Sequence, residues 1–422
     1  DKVYLNINPD NAYARKKQLN DTVNLGTFYY LDPENRFRAN TFGKMLFVKE
    51  GDWFAQRNTD LTYNRLGDLG VFKFSNISYQ EDSLSQKLNC NINLTPSRQF
   101  SLRPEIEGTF NSGNLGGNGS LGYSDKNVFR GAELFELGLK GGLETRRSLI
   151  DNSLFLYRKQ ISASANLYFP KLFVPFLKAN YRFANPRSFI SLNYAYENRE
   201  SFFFRRYLNT AVGYDWRDTR TRSHYIKLID VNIVSSALSP ALTQSLISQG
   251  NYYLLRSFVP YFSLGTQYRF IENQADPKHP YKDYFYLRIT VDVAGNGLNA
   301  LRNRLKLPQD STGAHKVFNL IYYQYFRPEI DIRYYNIISP KSSFAFRLNP
   351  GIGFAFGNSK NLPFEKQFFV GGSNSLRAWL ARQLGPGSYA PTDANAKSNL
   401  LLLDRSGDIK LEVNAEYRFE IL

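Results

Sequence analysis

Residues 366–389 are the stretch of this sequence whose side chains best fit a specific interaction chemistry. The stretch reads Lys-Gln-Phe-Phe-Val-Gly-Gly-Ser-Asn-Ser-Leu-Arg-Ala-Trp-Leu-Ala-Arg-Gln-Leu-Gly-Pro-Gly-Ser-Tyr. It is rich in glycine and aromatic residues and contains two arginines, Arg377 and Arg382. A guanidinium group offers five donors in a rigid fork that suits a carboxylate. On spacing alone, a solvated loop arginine is the simpler interpretation of Arg377, so the surrounding elements must decide.

Covalent catalysis and metal binding are not indicated. The three histidines, His224, His279 and His315, are far apart in sequence, and Cys90 is the single cysteine. The sequence contains no GxSxG, HExxH or P-loop motif. A glycine cluster at 113–119 lacks a Rossmann context and is interpreted as a hairpin loop. We therefore expect no enzyme activity, no metal site and no cofactor.

The composition favours a β-barrel in a membrane. The 422 residues have a net charge of +16 and a mean hydropathy of −0.42, and no run of eighteen apolar residues occurs that could form a transmembrane helix. Aromatic residues make up 16% of the chain, with 29 Tyr and 34 Phe. Transmembrane barrels use such residues as girdles at both membrane interfaces. A soluble, aromatic-rich β-sandwich array or a carbohydrate-binding protein is the alternative.

The positive charge is compatible with nucleic acid or with an anionic membrane surface. The basic residues are spread among strand-like segments, without a dense Lys/Arg block. Nucleic acid is therefore not an expected partner. The chain starts at Asp1 rather than Met and carries no signal peptide, so we expect a processed or trimmed chain.

From about residue 99, strand-length segments alternate apolar and polar residues. In five of them every Arg, Asp and Glu lies on the polar face; these segments are 190–197, 208–216, 262–270, 285–293 and 344–356. A charge facing lipid at mid-membrane would cost about 2–4 kcal/mol, whereas a charge on a wet lumen wall costs little. A soluble sandwich gives the same alternation with the faces reversed. The large, aromatic apolar face and the polar face rich in Gly, Asn and Ser favour the barrel.

About twelve strands are predicted in this region. They lie near 99–110, 117–125, 132–144, 160–169, 188–198, 206–217, 226–234, 259–272, 283–294, 328–338, 343–356 and 408–421. A short helix is possible within 235–255, and the larger loops are predicted at 111–119, 295–314 and 357–407. The first strand, with its apolar residues Phe100, Leu102 and Ile106, is interrupted by Pro104, which confines a strand to an edge or seam. Either this strand forms a seam that can open, or the irregularity is ordinary variation.

The first 97 residues have a different pattern. Residues 2–9, 71–79 and 87–94 alternate like strands, and 41–50 and 55–69 are interpreted as two short helices, the second ending at Gly70. This predicts a small α+β domain over residues 1–97, ahead of a barrel over 98–422.

Two phrases of this domain resemble POTRA domains, the periplasmic modules that precede certain outer-membrane barrels. They are Lys49-Glu-Gly-Asp-Trp53 and Leu66-Gly-Asp-Leu-Gly-Val-Phe72. The resemblance covers about residues 41–97, and 2–9 would be the first strand.

The loop phrase Gly371-Gly372-Ser-Asn-Ser-Leu-Arg-Ala-Trp379 resembles the signature loop of the BamA/TamA superfamily of outer-membrane insertases and translocators (surface antigen type). With Gly-Pro-Gly-Ser-Tyr behind it, the phrase is most similar to the TamL-type members of Bacteroidota. The resemblance implies that the loop enters the lumen, with Arg377 as its anchor. Leu376, Arg377, Ala378 and Trp379 match the Val-Arg-Gly-Phe-type tetrapeptide of the family, with Ala378 in place of glycine. Arg382 is a second candidate anchor.

The same resemblance supplies a partner for Arg377. Residues 408–419 match the strand that follows this loop, and Glu416 lies where the family has a wall carboxylate. Family barrels have sixteen strands, so the resemblance implies that the C-terminal strands after about the twelfth are missing. These would include the strand that meets the first one at the seam, and a second carboxylate for Arg377.

The function implied by this resemblance is that of an assembly factor in the outer membrane. Its POTRA-like domain would lie in the periplasm and its barrel in outer-membrane lipid. The factor would insert or translocate client outer-membrane or surface proteins through the seam, where a client strand adds by β-augmentation. A periplasmic or inner-membrane partner, TamB-like, would bind the POTRA-like domain. A polypeptide-secreting pore of the two-partner type and a passive porin are the alternatives.

Overall fold

A computed structural model describes most of the chain as two β-sheets. The described residues are 2–8, 22–82, 87–111, 114–147, 154–173, 185–200, 202–248, 252–379, 381–382, 384 and 405–420. No helix among them is long and apolar enough to cross a membrane.

The N-terminal sheet has five strands and packs against one helix. The strands are β1 (Val3–Ile7), β2 (Val23–Asn24), β3 (Tyr29–Leu31), β4 (Phe72–Asp82) and β5 (Lys87–Pro96), and the helix is α1 (Gln56–Gly67). The order of the strands in the sheet is β2-β3-β1-β5-β4. Val3, Leu5 and Ile7 alternate with more exposed residues and point into the core under α1, as the sequence pattern predicted.

The helix predicted over 41–50 is wrong. A 3₁₀ turn at Ala39–Thr41 is followed by turns, while α1 confirms the second predicted helix. Phe42, Met45 and Leu46 are all buried, so their helix-like spacing reflects irregular chain that fills the core. Gly43 lowers the helix propensity of this stretch. Helix α1 ends before Gly70, whose φ of +66° accommodates the following turn.

The second sheet contains twelve long antiparallel strands, one at each of the twelve predicted positions. They are β6 (Phe100–Asn111), β7 (Asn114–Asp125), β8 (Leu134–Arg147), β9 (Leu154–Phe169), β10 (Arg187–Arg199), β11 (Phe203–Arg217), β12 (Arg222–Leu238), β13 (Tyr261–Asn273), β14 (Tyr284–Ala294), β17 (Tyr325–Ser339), β18 (Ser342–Ile352) and β20 (Ile409–Phe419). Each pairs with the next along the chain, from β6 at one edge to β20 at the other.

The predicted loop at 111–119 is wrong, because β7 already begins at Asn114. Its glycines pair across the ladder, with Gly119 opposite Gly141 and Gly122 opposite Gly138. Leu115 and Leu121 lie on the same face of the strand, and both side chains are exposed on the outside. Pairing with β6 and β8 therefore overrides the weak strand propensity of glycine.

Three connections at one end of the sheet carry additional structure. Because the strands alternate in direction, the connections after β12, β14 and β18 lie at the same end. They contain α2 (Pro240–Ser248), α3 (Tyr252–Ser257), α4 (Asn296–Leu301), β15 (Lys316–Val317), β16 (Leu320–Tyr322) and β19 (Phe354–Ala355). The first two helices agree with the short helix predicted within 235–255.

The N-terminal module contacts the opposite end. The amide of Arg38 donates to the carbonyl of Arg130 at 2.7 Å, and Asn185 Nδ2 donates to Asp68 of the module at 2.7 Å. Residues 130 and 185 lie in the connections after β7 and β9, respectively.

The large sheet turns its apolar face outward and its polar face inward. Leu192, Phe346 and Leu411 are exposed, and Leu411 retains 70% of its accessible surface. Asp331 and Asn349 are fully buried on the other face. A soluble sandwich would bury the leucines, so this arrangement is that of a membrane barrel with a polar lumen.

Candidate functional site

The connection after β18 returns to the polar face of the barrel and is the candidate site. Residues 362–369, the loop base, contact strands from several parts of the wall. Glu365 lies 2.6 Å from the guanidinium of Arg205 on β11 and accepts a hydrogen bond of 2.9 Å from Tyr261 on β13. Lys366 forms an ion pair with Asp292 on β14. The loop base therefore contacts three wall strands, β11, β13 and β14.

Contacts other than ion pairs complete the loop base. Gln367 donates to Ser257 Oγ at 2.7 Å and to the carbonyl of Leu362 at 3.1 Å. Arg327 of β17 donates its Nε–H to the carbonyl of Lys366 at 2.7 Å, and its guanidinium lies 3.9 Å from the centre of the Phe368 ring. Stacking of this kind shields the charged group while keeping its hydrogen bonds.

Residues 371–379, the loop tip, form a compact turn. Gly371 and Gly372 have φ angles of +94° and +93°, a region that side chains with a Cβ rarely enter. The amide of Gly372 donates to the carbonyl of Trp379 at 2.8 Å and closes the turn. Ala378 does not have a positive φ, so the backbone at this position does not require glycine.

Arg347 on β18 holds the loop tip against the wall. Its Nε and Nη2 donate to the two oxygens of Asp331, both at 3.1 Å. Its Nη1 donates to Glu412 of β20 and to the carbonyl of Asn374, both at 2.8 Å, and Nη2 also reaches Asn349. All five donors of this guanidinium are thus used, one of them on the backbone of the loop tip.

Glu412 contacts both Arg347 and the loop tip. Its second oxygen accepts a hydrogen bond of 2.8 Å from Ser375 Oγ, and Ser375 Oγ in turn accepts from the amide of Gly371 at 3.1 Å. The loop tip is therefore fixed by a buried arginine and a buried carboxylate of the wall.

The structure also brings Arg377 and Glu416 together. Arg377 Nη2 donates to Glu416 Oε1 at 2.9 Å, and Arg418 binds the other oxygen of Glu416. The Arg377 side chain is 66% exposed, whereas that of Arg347 is 16% exposed. An exposed pair contributes about 0.2–1 kcal/mol. Breaking a buried pair costs about 3–5 kcal/mol, so Arg347 holds the loop tip more strongly.

The other predicted loop residues lie around this pair. Leu376 is partly buried, and Ala378 and Trp379 are exposed. Arg382 lies at the exit of the tip, where its guanidinium is 4.5 Å from the ring centre of Phe364 and 4.2 Å from that of Phe369. The predicted loop residues Gly385, Pro386 and Gly387 lie outside the described residues.

The predicted seam strand is β6, an edge strand of the described sheet. Phe100, Leu102 and Ile106 point outward and are exposed, Ile106 to 93%. Pro104 is opposite Leu121 of β7. Within the described part of the chain β6 pairs with β7 alone, so its other edge carries no strand.

Sequence reasoning missed the residues that make most of the buried contacts. They are Arg347, Asp331, Glu412, Asp292 and Glu365. A signal was present, because four of them are charged residues on the polar face of predicted strands. Which of these charges meet depends on the register of neighbouring strands and on the path of the loop, and the alternation pattern does not contain that information.

A family model described as the Omp85 superfamily domain matches residues 75–422. The chain belongs to the Omp85 superfamily. None of the curated proteins compared with it matches significantly. The Omp85 match includes all twelve strands of the large sheet and the loop that lies on its polar face.

Two solved structures show the same fold as this Omp85 chain. One is BamA from Haemophilus ducreyi lacking POTRA domains 1–3, with 13% identity and a TM-score of 0.53 over 85% of this chain. The other is CdiB from Acinetobacter baumannii, with 12% identity and a TM-score of 0.53 over 99% of this chain. The chain spans 63% and 60% of the length of these two structures. This similarity shows a shared architecture, that of a barrel of the outer-membrane type.

Proposed function

We propose that this Omp85 protein is an outer-membrane assembly factor that inserts or translocates envelope proteins through a lateral seam at β6. The observation that carries the proposal is the buried attachment of the loop after β18. Its base and tip are bound by Arg205, Asp292, Arg347 and Glu412, so leaving the lumen would uncover several charges. A client that joins the edge of β6 does not require the loop to leave.

The step at the seam is non-covalent. An unpaired strand edge offers backbone donors and acceptors, and a client strand can pair with them by β-augmentation. The outward side chains Leu102 and Ile106 would then continue the apolar surface of the client strand. Pro104 has no amide hydrogen, which weakens the ladder locally and favours exchange of the strand partner.

A cysteine cross-link at β6 tests this proposal. With Ile106→Cys, we expect a disulfide to a cysteine in the terminal strand of a client during insertion. Leu192→Cys is the matched control, because Leu192 also points outward but lies on β10, which is paired on both sides. Cys90 is buried in the module, and burial raises the pKa of its thiol, so it will not compete. Efficient insertion without any cross-link from the outward positions of β6 would disprove the seam.

A two-partner secretion pore is the second candidate, since CdiB shares this fold. Such a pore must move the loop out of the lumen. Ser373 and Asn414 line one cavity of about 120 Å³, so cysteines at these positions can be joined by a short thiol cross-linker. The locked protein should still assemble clients if they use the seam. Loss of activity on locking, and recovery when the linker is cleaved, would favour transport through the lumen.

The N-terminal module is proposed to be a periplasmic POTRA domain that binds a TamB-like partner. The edge strand β4 supports this, because within the described residues it pairs with β5 alone. A photoreactive residue at the exposed Gln80 of β4 should cross-link such a partner, whereas a passive porin would not need the module. The loop phrase from Gly371 to Trp379, together with the Gly-Pro-Gly-Ser-Tyr that follows it, supports a TamL-type assignment within the superfamily.

A further inference from the structure

The segment between β14 and β17 packs on the outside of the barrel. Leu298 of α4 and Tyr322 of β16 are buried against Phe262, together with Val231, Ile233 and Leu264. These wall residues alternate with Asp230, Asn232, Tyr261 and Ser263, which belong to the polar inner face. Residues 296–322 therefore form an outer collar on β12 and β13, at the end of the barrel away from the N-terminal module.

The outer collar leaves apolar side chains uncovered. Leu301, Leu305 and Phe318 are exposed, Phe318 to 79%. Phe318 and Asn319 both have positive φ, at +51° and +63°, in the turn that joins β15 to β16. Glycine and asparagine favour such turns, whereas phenylalanine is strained there. This strained turn places the ring of Phe318 at the tip of the hairpin, 5.9 Å from the ring of Phe262.

The same segment is basic. It contains Arg302, Arg304, Lys306 and Lys316, with Asp310 as the single acidic residue. Asp310 accepts hydrogen bonds from the hydroxyl and amide of Thr312 and from the amide of Ala314, and these bonds hold the pKa of its carboxyl below the usual value. Within the part of the chain that the structure describes, none of the four basic side chains forms an ion pair with a carboxylate.

We propose that the outer collar binds the surface of the lipid bilayer, with its basic residues on anionic phosphate headgroups. Exposed apolar residues next to Lys and Arg are typical of segments that lie in a membrane interface. The collar continues the lipid-facing wall, where Leu228 and Ile229 are both exposed in the bulge of β12 below it. Phe318, Leu301 and Leu305 then enter the acyl region, while Arg302, Arg304 and Lys306 remain at headgroup level. This binding is separate from client insertion, so either can fail without the other.

Fluorescence quenching in lipid nanodiscs tests the outer collar. A fluorophore on Phe318→Cys, or independently on Leu301→Cys, is exposed to phosphatidylglycerol or phosphatidylcholine carrying a nitroxide on the acyl chain. We expect both lipids to quench and phosphatidylglycerol to quench more strongly. The triple change Arg302→Gln, Arg304→Gln and Lys306→Gln should reduce this preference by up to about fivefold for each charge removed.

The matched control removes three charges at the other end of the barrel. Arg220→Gln, Lys278→Gln and Lys282→Gln lie in the connections after β11 and β13 and should leave the preference unchanged. Absence of quenching by either lipid would place the collar in water, as for a surface that binds a soluble protein, and would overturn the proposal. Equal quenching by the two lipids would overturn the headgroup assignment.

Discussion

At the scale of single residues, two arginines contact the loop tip and its surroundings in different ways. Arg347 lies on the wall and binds the loop backbone, whereas Arg377 lies on the loop and binds a wall carboxylate. Arg347 is largely buried beside Asp331 and Glu412, so each loses much of its hydration. Asp331 also binds Arg333 and Arg288. Arg377 and Glu416 retain contact with solvent, which weakens their attraction.

We predict that Arg347→Ala destabilises the barrel much more than Arg377→Ala. The first change leaves the buried Glu412 without its arginine and should cost about 3–5 kcal/mol, although Asp331 keeps Arg333 and Arg288. The second removes an exposed pair and should cost about 0.2–1 kcal/mol. Thermal unfolding of the purified protein in detergent, followed by the loss of heat-modifiable migration on gels, measures both. Similar losses from the two changes would contradict this ranking.

At the scale of elements, bulges and small residues let the strands of the wall pack closely. Between β11 and β12 the register shifts after Val212, where Leu228 of β12 is the extra residue. Gly213 lies at this shift. A Cβ there would be 2.0 Å from the carbonyl oxygen of Ile226 and 2.6 Å from the ring of Phe189. The bulge thus depends on a residue without a side chain.

We predict that Gly213→Ala destabilises the barrel, whereas Gly119→Ala does not. The added methyl at 213 meets backbone that cannot move without breaking the ladder, and overpacking of this kind costs about 1–3 kcal/mol. A Cβ at Gly119 meets no atom within 4 Å. The refolded fraction as a function of urea concentration compares the two variants. An unaffected Gly213→Ala protein would show that the bulge can relax.

At the scale of the whole molecule, the N-terminal module is joined to the barrel by polar contacts at two places. Arg38 and Arg36 contact the connection after β7 through backbone groups, and Arg65 and Asp68 both bind Asn185. Ala132 of the barrel is part of the module's buried core. These contacts fix the direction in which the module leaves the barrel, and hence its position relative to the seam strand.

We predict that Asn185→Leu loosens this joint without unfolding either part. The substitution removes a side-chain partner of Arg65 and of Asp68, which should broaden the distribution of distances between a spin label on the module and one on the barrel. Double electron–electron resonance measures this distribution. Gln274→Leu, an exposed position at the same end of the barrel, is the control. An unchanged distance distribution would mean that the contacts around Arg130 and Ala132 are sufficient to hold the module in place.

The sequence by itself determined the strand positions, the inward direction of the charges and the loop that carries Arg377. Side chains of a strand point alternately to its two faces, and a charge that faces lipid is costly. Both effects therefore appear directly in the order of apolar and charged residues along the sequence. The stretch around Phe42 and the first residues of β7 were mispredicted, since packing and pairing partners distant in sequence decided their structure. Only the tertiary structure could decide that Arg347, Asp331 and Glu412 hold the loop tip. Their contact depends on the register of β17, β18 and β20 and on the path of a long loop, which bring together residues from three strands and a turn.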